Sequence, residues 1–212
     1  MRKTKVLSTL LVATCVMAFS AQAASALSIT GATPFSGQHV SPQQSFNIGS
    51  AMRFTCTNVA VTNGALVANT LGTPSTNVSR FSIAYSGCTA TIAGITTPAP
   101  VSTACGPWDA APSTISGAPG SGTGRVRVCA TISIPGFFGC VITVPYQTIS
   151  PGAIYQNVSG AGVNVVLNIA GGASGIDWSQ NGGCPGLPAS ASVGTFAGYQ
   201  GTIRANGLAV TP

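Results

Sequence analysis

Ionisable side chains are almost missing from this sequence of 212 residues, which contains no glutamate and only two acidic residues, Asp109 and Asp177. Lysine occurs only at Lys3 and Lys5, and His39 is the single histidine. Acid and base catalysis, metal-ion catalysis and nucleic-acid binding all depend on such side chains. We therefore expect a protein that is not an enzyme, carries no cofactor, and binds neither metal nor nucleic acid.

The first residues have the composition of a cleaved export signal. Three basic residues among the first five precede an almost wholly apolar run over residues 6–19, and Ala21-Gln22-Ala23 favours cleavage after Ala23. Cleavage after Ala26 is the alternative. The apolar run is shorter than the ~20 residues that span a bilayer, and no later run reaches its length. We expect a signal peptide over residues 1–23 and a mature chain without a transmembrane segment, secreted or held at the cell surface.

Removal of this leader leaves five arginines against two aspartates and reduces the seven cysteines to six. An even number of cysteines in an exported chain predicts disulfides. Metal binding is disfavoured, because no CxxC pair occurs and no histidine lies nearby. The sequence does not choose among the fifteen possible connectivities. Pairing Cys56 with Cys88 would join two strand-like segments, and the others would then pair as neighbours. The six are Cys56, Cys88, Cys105, Cys129, Cys140 and Cys184.

Strand signals dominate the chain after the leader. The 27 glycines and 14 prolines punctuate short runs in which apolar and polar residues alternate, as antiparallel strands with one buried face require. Such runs include residues 81–85, 125–134 and 163–169. We predict one all-β domain over residues 27–212, an antiparallel β-sandwich or barrel-like fold that is braced by disulfides.

Pro135-Gly136 predicts a hairpin turn that makes residues 125–134 antiparallel to residues 140–146, with the glycine at positive φ. Phe137 and Phe138 then lie at the tip. Both rings folding back over the end of the domain is one interpretation. The other is that one ring stays exposed, because adjacent residues do not enter one core without strain, and that it contacts an apolar partner.

The two acidic residues each adjoin a tryptophan, in Trp108-Asp109 and Asp177-Trp178. Packing of the two rings in the core or at its rim is the interpretation that we favour. As an alternative contact site, the ring faces would bind sugars or apolar surfaces while the carboxylates accept hydrogen bonds. A sugar-cleaving pair would require the fold to bring both carboxylates together.

Arg125 and Arg127 alternate with valines, so both guanidinium groups project from the same polar face of one strand. This pattern is typical of a solvated strand edge, where charge also prevents aggregation. Binding of an anionic polymer is the alternative interpretation.

Short cysteine-centred and aromatic motifs resemble those of the small exported bacterial proteins known as activators of alkane oxidation. The resemblance implies an extracellular protein that helps cells to contact hydrocarbon or that forms biofilm matrix, and it implies no catalytic residues. The motifs are Phe54-Thr55-Cys56, Ser86-Gly87-Cys88, Gly106-Pro107-Trp108 and Phe138-Gly139-Cys140.

The expected function is therefore a structural or interaction role at the cell exterior, in biofilm matrix, adhesion or hydrocarbon contact. Its expected partner is an apolar surface, a matrix component, a glycan or a second copy of the chain. The candidate contact residues are Trp108, Phe137, Phe138 and Trp178. A glycan- or protein-binding recognition module that uses the two tryptophans is the alternative, and a fimbrial-type subunit is another.

Overall fold

A computed structural model describes residues 28–115, 121–158, 162–169, 175–192 and 196–211. The predicted signal peptide lies outside these residues. Within them the chain forms strands and no helix, which confirms the predicted all-β class. In this part of the chain there is accordingly no helix that could cross a membrane.

Thirteen strands account for most of the described residues. Their bounds are β1 Ser28–Gly31, β2 Phe35–Ile48, β3 Met52–Ala68, β4 Asn77–Ile92, β5 Ile95–Pro98, β6 Val101–Ser102, β7 Trp108–Ile115, β8 Ser121–Ile134, β9 Cys140–Val158, β10 Gly162–Ile169, β11 Ser179–Gln180, β12 Ala197–Asn206 and β13 Leu208–Thr211.

The main sheet is antiparallel, with the strand order β11-β9-β10-β12-β2-β3-β4-β7-β8-β6 and with β5 beside β4. Because β8 also pairs with β9, eight of these strands close into a circuit. Two pairings in the circuit are short. Strand β4 meets β7 only over Ser79–Phe81, and β9 meets β10 only over residues 154–158. The fold is therefore the barrel-like form of the predicted architecture.

Alternation along the strands places apolar side chains inside the circuit. On β8, Val126, Val128, Ile132 and Ile134 are buried, whereas the polar residues Arg125, Arg127, Thr131 and Ser133 are partly exposed. The alternation is interrupted by a bulge between Val128 and Ala130. The buried side chains of the strands form one large apolar cluster inside the circuit.

The two ends of the circuit differ. At one end, strands β1 and β13 form a separate ribbon, which buries Ile29, Leu208 and Val210 against the core. The opposite end carries three hairpin turns, over residues 48–52, 92–95 and 134–140. We refer to it as the hairpin end.

Three disulfides brace the sheet, as the even number of cysteines predicted, and they join neighbouring cysteines, which is one of the fifteen connectivities that the sequence left open. They are Cys56–Cys88, Cys105–Cys129 and Cys140–Cys184. The sequence separations of 32, 24 and 44 residues correspond to about 3.5 to 4 kcal/mol of stabilisation each in the loop-entropy account. Disulfides persist in oxidising surroundings, so the three bridges indicate the periplasm or the cell exterior.

Candidate functional site

Large apolar side chains are exposed at the hairpin end. Phe138 is 94% exposed and Ile95 is 61% exposed, and each lies in one of the hairpin turns. Apolar surface of this kind is costly in water and marks contact sites when it is clustered. We call these two residues the apolar tip.

The turn of residues 134–140 determines where Phe138 points. The Phe137 N–H donates to the Ile134 carbonyl at 3.1 Å, and the Cys140 N–H donates to the Phe137 carbonyl at 2.7 Å. Phe138 has φ of 50° and Gly139 has φ of 71°. The prediction of positive φ at Gly136 is therefore wrong, because five residues separate the paired Ile134 and Cys140 and the chain reverses late in this longer loop.

The two adjacent phenylalanines have opposite environments. Phe137 is only 6% exposed and belongs to the core cluster, whereas Phe138 points into solvent. Of the two alternatives for this turn, the structure has one ring packed and one ring exposed. Positive φ costs a residue with a side chain about 1 to 2 kcal/mol, so the exposed ring is held at an energetic cost.

Residues of the segment that follows β11 brace the Phe138 turn. The Cys140–Cys184 disulfide joins the first residue of β9 to the segment that follows β11. Asn181 donates through Nδ2 to the Gly139 carbonyl at 2.9 Å, and its Oδ1 accepts from the Val141 N–H at 3.1 Å. The backbone of the turn is thus fixed to a covalently linked neighbouring segment.

The Ile95 hairpin lies beside the Phe138 turn. A Cβ atom on Gly136 would approach the Thr97 Oγ1 to 2.5 Å, so the Gly136 backbone lies directly against the Thr97 side chain. The Thr91 and Thr96 hydroxyls, 2.8 Å apart, link the two strands of the Ile95 hairpin. Contact between these neighbouring turns places the two members of the apolar tip on the same end of the molecule.

Both tryptophans are buried, which agrees with the favoured interpretation and excludes the alternative in which their ring faces form a contact site. Trp108 is 4% exposed and Trp178 is 2% exposed. The Trp108 Nε1 donates to the Cys129 carbonyl at 3.1 Å. That carbonyl is available because Cys129 is the bulged residue of β8, whose regular pairing is interrupted there. The indole is therefore satisfied inside the core, and neither ring face is presented to a partner.

The two acidic residues lie in different surroundings. The Asp109 side chain has no exposed surface and contacts two arginines, whereas Asp177 is exposed and exchanges backbone hydrogen bonds with the Gln147 amide. A sugar-cleaving pair requires two carboxyl groups that flank one substrate. The buried Asp109 is closed off from substrate, so these residues do not form such a pair.

Asp109 lies between two arginines, one on each neighbouring strand. It faces Arg80 of β4 on one side and Arg127 of β8 on the other. Arg80 binds it through Nε at 2.8 Å and Nη2 at 3.1 Å, and the Arg127 Nη1 lies 3.4 Å from Oδ2. Hydrogen bonding to Asp109 raises the pKa of the Arg80 guanidinium above its ordinary value. Sequence reasoning missed Arg80, because only the strand register brings it opposite Asp109.

Two arginines of β8 also hold the loop after β3 against the outer face. The Arg125 Nη1 donates to the Leu71 carbonyl at 2.8 Å, and the Arg127 Nη2 donates to the Thr70 carbonyl at 3.0 Å. The Arg127 guanidinium lies 5.5 Å from the centre of the Tyr146 ring. We call Arg80, Arg125 and Arg127 the arginine patch.

The interior contains a buried polar chain. The Tyr85 and Tyr199 hydroxyls are 3.2 Å apart, and Tyr199 donates to the Gln44 Oε1. The Gln44 Nε2 in turn donates to the Thr202 carbonyl at 3.0 Å. Burial raises the pKa of the hydroxyls of Tyr85, Tyr155 and Tyr199. We call these three residues the buried tyrosines.

An apolar cavity of about 40 Å³ lies beside this chain, with Phe46, Phe54 and Trp108 among the lining residues. A cavity of about 150 Å³ is known to admit benzene, and sites for larger molecules span about 300 to 1,000 Å³. The cavity is therefore a packing void, and the candidate site lies on the surface.

Comparisons with known proteins identify no family for this chain. Searches of the chain against protein-family models, curated proteins and solved structures return no match. Among the described residues, no group of three or more metal-ligating side chains occurs. The apolar tip and the arginine patch are thus the features on which a functional argument rests.

Proposed function

We propose that this protein is a non-enzymatic interaction protein of the cell exterior, which binds an apolar surface through the apolar tip. The observation that carries the proposal is the nearly complete exposure of Phe138 in a turn that is braced by a disulfide and by Asn181. A ring that served only the fold would gain stability by packing. Here Phe138 adopts a strained positive φ and its ring remains in solvent.

The tip supplies a modest binding energy. Full burial of a phenylalanine or isoleucine side chain is worth about 1.5 to 3 kcal/mol, so two such residues contribute on the order of 4 kcal/mol. That energy corresponds to a dissociation constant of about 1 mM for one molecule. Stable attachment would then need several copies that act together, as in a matrix or on a cell surface.

Several observations support this role outside the cytoplasm. The three disulfides fit an oxidising compartment, and the resemblance to activators of alkane oxidation favours a hydrocarbon or matrix surface as the partner. Recognition of a glycan by the tryptophans is not part of the proposal, because both rings are buried.

The proposal is tested by adsorption of the purified protein to methyl-terminated and hydroxyl-terminated surfaces in a quartz crystal microbalance. Loss of about 2.5 kcal/mol predicts roughly 70-fold weaker binding of the Phe138→Ser variant to the methyl surface. The Ile95→Ser change should weaken binding further. Tyr146→Ser is the matched control, since it removes a 45% exposed aromatic ring elsewhere and should leave adsorption unchanged.

Equal adsorption of the native protein and the Phe138→Ser variant would refute the proposal. So would an equal loss in the Tyr146→Ser control, because adsorption would then follow total exposed apolar area rather than the tip.

A further inference from the structure

Positive charge is concentrated on one outer face of the sheet. Of the five arginines after the leader, the three of the arginine patch converge over β4, β7 and β8. Asp109 is the only carboxylate among them in the described part of the chain, so the patch carries a net charge of two. The other acidic residue, Asp177, binds Gln147 on a different strand.

The contacts that the patch makes within the protein do not neutralise this net charge. Backbone carbonyls accept hydrogen bonds from Arg125 and Arg127, but a carbonyl dipole does not neutralise a guanidinium group. A guanidinium has five N–H donors, and the contacts within the described residues use only the Nε and Nη2 of Arg80. Its side chain is 38% exposed, so Arg80 is accessible from solvent.

An exposed aromatic ring lies against another arginine of the patch. Tyr146 is 45% exposed, its hydroxyl donates to the Pro107 carbonyl at 3.1 Å, and Arg127 lies against its ring. Aromatic faces bind the apolar faces of sugar rings, while charged neighbours fix the orientation of the sugar. The Arg127 guanidinium and the Tyr146 ring therefore lie side by side at the protein surface.

We infer that the arginine patch and Tyr146 bind an anionic polysaccharide whose sugars carry carboxylates. Arg80 would hold the carboxylate, since a guanidinium matches the planar geometry of that group, and the Tyr146 ring would contact the sugar. Three cations are fewer than the six to ten phosphate contacts of typical nucleic-acid binders, which favours a polymer of lower charge density. The site is independent of the apolar tip.

The test uses titration calorimetry of the full processed protein with polygalacturonate, in low salt and in about 0.15 M salt, where screening acts beyond about 8 Å. Dextran serves as the neutral polymer. Removal of a charge-assisted hydrogen bond predicts binding about tenfold weaker for Arg80→Gln and for Arg125→Gln. Tyr146→Ser should weaken binding about fivefold through lost ring contact.

Arg53→Gln is the matched control, because it changes the net charge equally at a distant site. Arg53 pairs with Thr91, which is on the order of 30 Å along β4 from Arg80 at the usual rise per residue. This variant should bind within about twofold of the native protein. Because Arg80→Gln removes a partner of the buried Asp109, Arg125→Gln serves as a second variant: among the described residues, the Arg125 guanidinium donates only to backbone carbonyls.

Three results would overturn the inference. The first is equal weakening by Arg53→Gln and Arg125→Gln, which would show attraction by net charge alone. The second is binding of dextran as tight as that of polygalacturonate. The third is tighter binding of a single-stranded oligonucleotide, which would assign the patch to phosphate.

Discussion

Phe137 and Phe138 offer a matched test of the reasoning about the hairpin end. The two side chains are identical and adjacent, yet one is 6% exposed and the other 94% exposed. The same change to alanine should therefore have a large effect on stability at Phe137 and almost none at Phe138. Any difference between the variants reports environment rather than residue type.

The magnitudes follow from burial and backbone conformation. Phe137→Ala removes a buried ring from the core and should lower the free energy of unfolding by about 3 to 5 kcal/mol. Phe138→Ala loses no packing and should change it by less than about 0.5 kcal/mol. Phe138→Gly relieves the positive φ of 50° and should not destabilise the fold, since strain relief of about 1 to 2 kcal/mol offsets the flexibility of glycine in the unfolded chain.

The assay is urea unfolding of the oxidised protein, followed by tryptophan fluorescence, because both tryptophans are buried. The slope of the transition should stay constant, so that a shift in midpoint reports stability. Equal loss of stability in Phe137→Ala and Phe138→Ala would refute the assignment of one ring to the core and the other to solvent. A large loss of stability in Phe138→Gly would refute the argument that positive φ strains the backbone at Phe138.

Two further predictions concern the buried polar groups. Asp109→Asn should destabilise the fold by about 2 to 4 kcal/mol, because both guanidinium partners lose their charged acceptor. In urea unfolding, the exposed Asp177→Asn control should change stability by less than about 0.5 kcal/mol, and equal effects would contradict the contrast. Burial raises the pKa of the buried tyrosines above the ordinary value of 10, so the folded state retains protons that the unfolded chain releases. The contribution of these tyrosines to the free energy of unfolding should be fully present below pH 10. Above pH 10 the free energy of unfolding should fall, by up to about 1.4 kcal/mol per pH unit for each tyrosine. In the Tyr146→Phe variant, tyrosinate absorbance should rise only as the fold is lost, and an earlier rise would contradict the burial argument.

Strand positions could be predicted because alternation is a local property. The runs at residues 81–85 and 125–134 became β4 and β8, and the hairpin between β8 and β9 formed where Pro135-Gly136 predicted it. The turn geometry was predicted less well. Positive φ belongs to Phe138 and Gly139, since the length of the loop between paired residues depends on the register of two strands rather than on a dipeptide.

The candidate site was less predictable than the strands. Alternation with valines placed Arg125 and Arg127 on a polar face, but nothing local showed that Arg80 would stand opposite Asp109. The exposure of Ile95 was likewise not predictable from neighbouring residues, and the burial of both tryptophans, although it was the favoured interpretation, was not the only one that the sequence allowed. Each depends on which strands meet across the closed circuit.

The amino-acid sequence by itself determined the strand-forming chemistry, the shortage of ionisable groups and the even number of cysteines. These are properties of composition and of period two, which act within a strand. Only the tertiary structure decided which phenylalanine is exposed, which arginines surround Asp109 and which hairpin lies beside Phe138. Those outcomes require long-range pairing between strands, and pairing sets burial and charge contacts that no local pattern contains.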